Sequence, residues 1–163
     1  MSVITRLFGT SEEKEAAREA RRRAAEEAGR ARVGPHVRRL KEESIRLSAD
    51  LVRRFMSGQL ASGVVADRTA IKAIGTALRR CGKPAVGPLC ALVEECERDD
   101  RLIYAAQEAI SVLADLGDGG AVPAIVRGAS VVGAVRDEAR PALMKLGGQA
   151  AVNLLEQKIA LGR

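Results

Sequence analysis

Aromatic side chains are almost missing from this sequence: it has no Trp, one Tyr and two Phe in 163 residues. A core without rings must be aliphatic, and apolar residues still make up 47% of the chain, which excludes wholesale disorder. The shortage also argues against base-stacking platforms and against an aromatic-walled pocket for an extruded base. Histidine occurs once, at His36 beside Pro35, where a helix start makes it a surface residue. A single histidine excludes the His-Glu pairs of metal-dependent helical-repeat enzymes. Cysteine occurs three times, as Cys81, Cys90 and Cys96. Their spacing is neither a zinc pattern nor a C-x-x-C redox pair. An odd count without a secretion signal points to free thiols in a reducing cytoplasm. No apolar run approaches a membrane span or a signal-peptide core. No glycine-rich phosphate loop and no nucleophile motif occurs. The sequence therefore offers no catalytic, cofactor-binding or metal-ligating residue.

Charge is present, and it is uneven. The net charge is +6, and 14 of the 27 basic residues fall in the first 57 positions, against 9 of the 21 acidic ones. The remainder is close to neutral. A basic N-terminal part on a neutral body reads as a solvated helical face, or as an arm that meets an acidic surface.

Taken in order, Met1 to Gly9 places Val3, Ile4, Leu7 and Phe8 on one small helical face. Four such side chains are worth at most a few kcal/mol at a bilayer, so residues 1–9 could form only a weak, reversible membrane contact. Thr10 with Glu13 forms a capping box for the next helix. Ser11 to Val33 is rich in Glu, Ala, Arg and Lys, all strong helix formers. Its one apolar stripe is Ala17, Ala20, Ala24, Ala28 and Ala31, which buries too little area to hold it tightly to a core. Gly34-Pro35 predicts a break. A second helix then runs to about Met56, with Val37, Leu40, Ser44, Leu47, Leu51 and Phe55 as its core-facing row. Three regions result: a charged helical arm over 1–33, a capping helix and connection over 34–63, and a repeat domain over 64–163.

Within that last region three glycines, Gly82, Gly117 and Gly147, mark a register. Four residues before them stand Leu78, Leu113 and Leu143, and eight before stand Ile74, Ala109 and Ala139. These offsets trace one face of a helix, and the glycine is placed to end it. After each glycine comes Ala-Val, at Ala85-Val86, Ala121-Val122 and Ala151-Val152, followed by Leu89, Ile125 and Leu155. That is the buried stripe of a shorter second helix. The Ala-Val pairs are spaced 36 and 30 residues apart, which is the period of a two-helix solenoid unit.

The stretches AIKAIGTALRRCGKPAVGPLCALVEE, YAAQEAISVLADLGDGGAVPAIVRGA and VRDEARPALMKLGGQAAVNLLEQKI resemble short HEAT-like repeats, of the kind found in phycobilisome-linked bilin lyases and many bacterial proteins. The resemblance covers about residues 64–163. It implies an all-α fold: a right-handed α-solenoid of three HEAT-like helical hairpins, with two preceding N-terminal helices. Pro141, inside the third first-helix, fits the kinked first helices familiar in such units. The resemblance also implies that the second helices line a concave surface. Here that surface offers Gly87, Ala91, Glu94, Ala124, Arg127, Asn153 and Gln157, small-sided and lightly charged, where a helix could approach closely.

The function expected is a non-catalytic adaptor or scaffold binding another protein through the repeat surface. A homodimer through the N-terminal helix is one form of that partnership. A nucleic-acid reading competes, on the basic residues Arg21, Arg22, Arg23, Arg79, Arg80 and Lys83. No basic ladder or interleaved aromatics support it. A bilin-lyase-like, chromophore-handling role is the enzyme-class alternative, and it rests on repeat type alone.

Overall fold

The computed structural model describes residues 11–58 and 65–162. They form six helices: α1 (Ser11–Met56), α2 (Val65–Cys81), α3 (Val86–Glu95), α4 (Ile103–Leu116), α5 (Val122–Val131) and α6 (Arg136–Leu161). Single 3-10 turns, such as Lys83–Ala85 and Gly119–Ala121, lead into the later helices. Neighbouring helices pack antiparallel. α2, α4 and α6 touch in one row, α3 and α5 touch in another, and α1 lies across α2 and the starts of α3 and α4. The proposed apolar segment 1–9, the Thr10 cap and most of the connection after Gly58 fall outside the described residues.

The helical stripes read from the sequence form one core. Leu78, Leu113 and Leu143 are fully buried, as are Leu89, Ile125 and Leu155. Ala85 and Ala121 are buried beneath the turns that precede α3 and α5. Alanine at these points lets the turn backbone sit close to the helix below, so an all-aliphatic core closes without rings.

The glycine stops differ from one another. Gly117 ends α4 in the left-handed conformation (φ 69°, ψ 22°), as expected, and its N–H bonds the Leu113 carbonyl. Gly82 has φ 69° with ψ −148°, a region open almost only to glycine. In the third unit the positive φ falls on Gly148 (φ 64°, ψ −162°), not on Gly147. Gly147 is needed for a different reason. A Cβ there would stand 2.8 Å from that of Ala151 and 3.4 Å from Cγ2 of Val122. The backbone therefore reverses one residue later than the register predicts, and α6 is two limbs joined at Gly148.

The expected break at Gly34-Pro35 does not occur. α1 runs unbroken for 46 residues with Pro35 inside it. Proline removes one donor and crowds the preceding residue, and both penalties are softened here. Gly34 has no Cβ for the proline ring to strike. On either side of the pair, Val33 and Leu40 are fully buried and hold the flanking turns against the body. Tertiary packing thus overrides the local signal.

Polar links fix α1 to the body. Ser44, completely buried, donates to the Arg101 carbonyl (2.7 Å) and accepts from the Ala105 N–H (3.0 Å). It performs for α4, from another helix, the work of an N-cap side chain. Arg46 bridges Glu43 and Asp67, linking α1 to α2, and Lys41 bonds Glu95 of α3. The predicted row is only partly right at its end. Phe55 is 68% exposed, and its neighbours Val52 and Met56 are exposed as well, so the buried row ends before this last turn.

Candidate interaction surfaces

The densest polar constellation lies on the row of α2, α4 and α6. The sequence reasoning looked to the other row. Arg79 of α2 reaches across to α4, where it bonds Asp115 (2.7 Å), Glu108 (2.8 Å) and the Ser111 hydroxyl (2.9 Å). Lys145 of α6 bonds the other Asp115 oxygen at 2.9 Å. Three helices are stitched together by one chain of charges. Gly75, one turn before Arg79, makes room for it: Glu108 lies directly on the bare backbone of Gly75.

The protonation tendencies follow from this packing. Burial pushes the Glu108 carboxyl above its usual range, and the Arg79 bond only partly offsets it. Asp115, bonded by Lys145 and then by Arg79, is held below the usual range. Burial works against the charge on Arg79, but its bonds to Asp115 and Glu108 outweigh that and raise its pKa.

Next to this network a cleft of about 290 Å³ opens between the three helices. Arg68, Ile71 and Lys72 come from α2, Tyr104, Gln107, Glu108 and Ser111 from α4, and Glu138 from α6. The Arg68 guanidinium sits over the Tyr104 ring, 5.2 Å from its centroid. Gln107 is spent on the Ala134 carbonyl at 2.8 Å. None of the cleft residues was singled out from the sequence. They hold different positions in the glycine register, so the repeat pattern carries no signal that groups them.

The predicted second-helix surface is dispersed by comparison. Gly87, Ala91, Arg127, Asn153 and Gln157 are exposed, and Glu94 is partly exposed. Glu94 and Arg127 pair with each other at 3.2 Å across α3 and α5. Ala124 is only 5% exposed, so it is not part of an open face. It lies one turn before Gly128 on the same side of α5, and that side packs on α3 at Val93. The small residues there serve contact between the chain's own helices. Gly87 lines a separate cleft of about 540 Å³ with Pro84, Pro88, Lys83, Glu26 and Arg30, where α1 passes over the start of α3.

The proposed basic patch does not assemble. Arg22 pairs with Glu26 (3.3 Å) and Arg23 with Glu19 (2.6 Å), both along α1. Arg79 is held by two carboxylates, as above, and so is not part of a phosphate-facing surface. Arg21, Arg80 and Lys83 are exposed, with Arg21 on the arm and the other two at the turn after α2.

All three cysteines are free. Cys96 is 1% exposed, and burial lifts its pKa to about 11, with the Asp100 and Asp99 charges adding to the effect. Cys90, partly buried, is raised mainly by burial and then by Glu94. Alkylation by iodoacetamide near neutral pH is therefore expected to modify Cys81 first, Cys90 next and Cys96 last, as read by peptide mass spectrometry. Cys96 reacting ahead of Cys81 would contradict the packing described. Among the described residues, no three His, Cys, Asp or Glu side chains converge on a point where a metal ion could be held. No helix among them is long and apolar enough to cross a membrane.

The class this structure defines is an all-helical domain of six helices in packed pairs. Comparison with protein-family models, with curated proteins and with solved structures finds no match for the chain.

Proposed function

We propose that the chain is a non-catalytic adaptor that binds another protein, built as a right-handed solenoid of three HEAT-like hairpins with α1 laid across its first end. The equivalent burial of Leu78, Leu113 and Leu143 supports the three-unit reading.

The observation that carries the adaptor reading is the first part of α1. Every residue from Ser11 to Ala28 is exposed, although the same helix is clamped to the body from Val33 onward. A projection of roughly 27 Å adds nothing to the body's own core, so its use lies in contact with something else. Of the arm's arginines, Arg22 and Arg23 are already paired with glutamates, which favours a protein over a phosphate backbone as that partner.

Deletion of residues 1–28 tests this, because it leaves Val33 and the whole core in place. The melting temperature of the truncated protein is expected to stay within a few degrees of the parent. A partner that copurifies with the full chain should be lost. If the truncated protein keeps that partner at full occupancy, the arm is not the grip and the reading fails.

A further inference from the structure

The cleft between α2, α4 and α6 has an acceptor without a donor. Three carboxylate oxygens, on Glu43, Asp50 and Glu138, are buried and lack a well-directed hydrogen bond. Two of them lie against an arginine: Glu43 Oε2 is 2.9 Å from Arg46, and Asp50 Oδ2 is 2.8 Å from Arg54. Glu138 Oε2 has no such neighbour among the described residues. Glu138 lines the cleft, and a cationic donor entering it would give this carboxylate the partner it lacks.

The rest of the cleft says which cation fits. Tyr104 presents a ring face, and a guanidinium already rests over it, that of Arg68. Arg68 is an exposed side chain at the cleft's edge and can swing away into solvent. It shows that the ring accepts a planar cation, and it acts as a built-in occupant. Glu108, on the floor, has one arginine already and is still held above the usual carboxylate range by burial. Lys72, also in the lining, acts on Glu108 in the same sense as Arg79, so Glu138 is the cleft carboxylate left for an incoming cation. A guanidinium can stack on the ring while its N–H groups reach a carboxylate, whereas an ammonium is a compact point charge that cannot stack.

We propose that this cleft receives an arginine side chain from a partner protein, with Tyr104 as the stacking face and Glu138 as the hydrogen-bond acceptor. The proposal rests on the adaptor reading and adds the chemistry of the contact. Incoming arginine displaces Arg68, so the chain's own residue competes with the partner's. Binding is weak for any single arginine and gains strength when other contacts hold the partner in place.

The chain has one Tyr and no Trp, so the ring signals of Tyr104 report on this cleft alone. The probe is N-acetyl-glycyl-arginyl-glycinamide, titrated into the full-length protein and followed by NMR of the Tyr104 ring. Arg68→Ala, which vacates the ring, is expected to bind the probe about three- to fivefold more tightly than the parent. Glu138→Gln is expected to weaken binding about fivefold or more, with its melting temperature kept within a few degrees, which separates lost binding from lost folding. The matching norleucine peptide should leave the ring signals unmoved, and the lysine peptide should bind more weakly than the arginine one.

The proposal is overturned if Arg68→Ala shows no ring shift with the probe up to about 10 mM, at the weak end of single-contact affinities. It is equally overturned if Glu138→Gln binds as tightly as the parent, or if the lysine or norleucine peptide does as well as arginine. The probe does not involve the arm. A null result here with partner capture still dependent on residues 1–28 rejects the arginine cleft and leaves the adaptor. Loss of arm-dependent capture rejects the adaptor and leaves the cleft measurement standing as a bare affinity.

Discussion

Ser44→Ala is expected to cost about 2–3 kcal/mol of stability, far more than one hydroxyl on a long polar helix would ordinarily be worth. Among the described residues Ser44 is the one buried polar side chain, and its hydroxyl is used twice. The Arg101 carbonyl it serves has a second donor, the Ser48 hydroxyl at 3.1 Å. The Ala105 N–H has no such reserve: Ala105 is fully buried, and the Ser44 oxygen is the acceptor for that first-turn amide of α4. Removal strands a donor in a dry site, which costs roughly 1–3 kcal/mol, and the lost atom leaves a small void besides. Urea titration checks this through the shift in midpoint at constant slope. Ser48→Ala is the control. It gives up one bond to a carbonyl that stays satisfied, and is expected to cost below about 1 kcal/mol. Equal costs for the two variants would show that the clamp is not where the structure places it.

Gly128→Ala is the second large effect, also about 2–3 kcal/mol. A Cβ at Gly128 would lie 2.8 Å from the Val93 carbonyl oxygen and 2.8 Å from its Cγ1. A side-chain tip could move aside, but a backbone oxygen in the last turn of α3, fully buried with its residue, cannot. The added methyl must therefore push α5 off α3 and open the row between them. Gly87→Ala serves as the comparison, since nothing lies within 4 Å of its would-be Cβ. Helix propensity alone predicts that this second change is neutral or stabilising by up to about 1 kcal/mol. Thermal unfolding of the pair separates close approach from propensity. A Gly128→Ala protein as stable as the parent would mean the two helices are not in the contact described.

What was legible in the sequence was the periodic part. Leucines four residues before each glycine, and Ala-Val pairs after it, fixed which faces are buried, because periodicity reports burial directly. What was not legible depended on contacts between elements. Gly34-Pro35 carries a strong local stop signal, and nothing local reveals that Val33 and Leu40 pin the helix on both sides of it. Phe55 continues the stripe of α1, but a stripe does not say where the body beneath it ends. Gly147 and Gly148 are adjacent and chemically identical, so only the packing of Val122 decides which of them turns the chain. Ala124 looked like an open small residue because the helix that covers its side of α5 is remote in sequence. Arg79 looked like one of a basic cluster because its acidic partners lie 29 and 36 residues further on. The cleft around Tyr104 drew no notice for the same reason: its residues are unremarkable until three helices bring them together.

The continuity of α1 has a mechanical consequence. From Ser11 to Ser44 the helix is a rod of roughly 50 Å, exposed as far as Ala28 and gripped from Val33. A partner that pulls sideways on the exposed part applies a torque at the grip. The rod is not uniformly stiff, since Pro35 leaves the Ala31 carbonyl without its usual i+4 donor and so makes a softer segment where the exposed part meets the first buried contact. Small loads are taken up there as bending. Only larger ones are passed to the first turn of α4, so the same proline that failed to end the helix acts as its shock absorber.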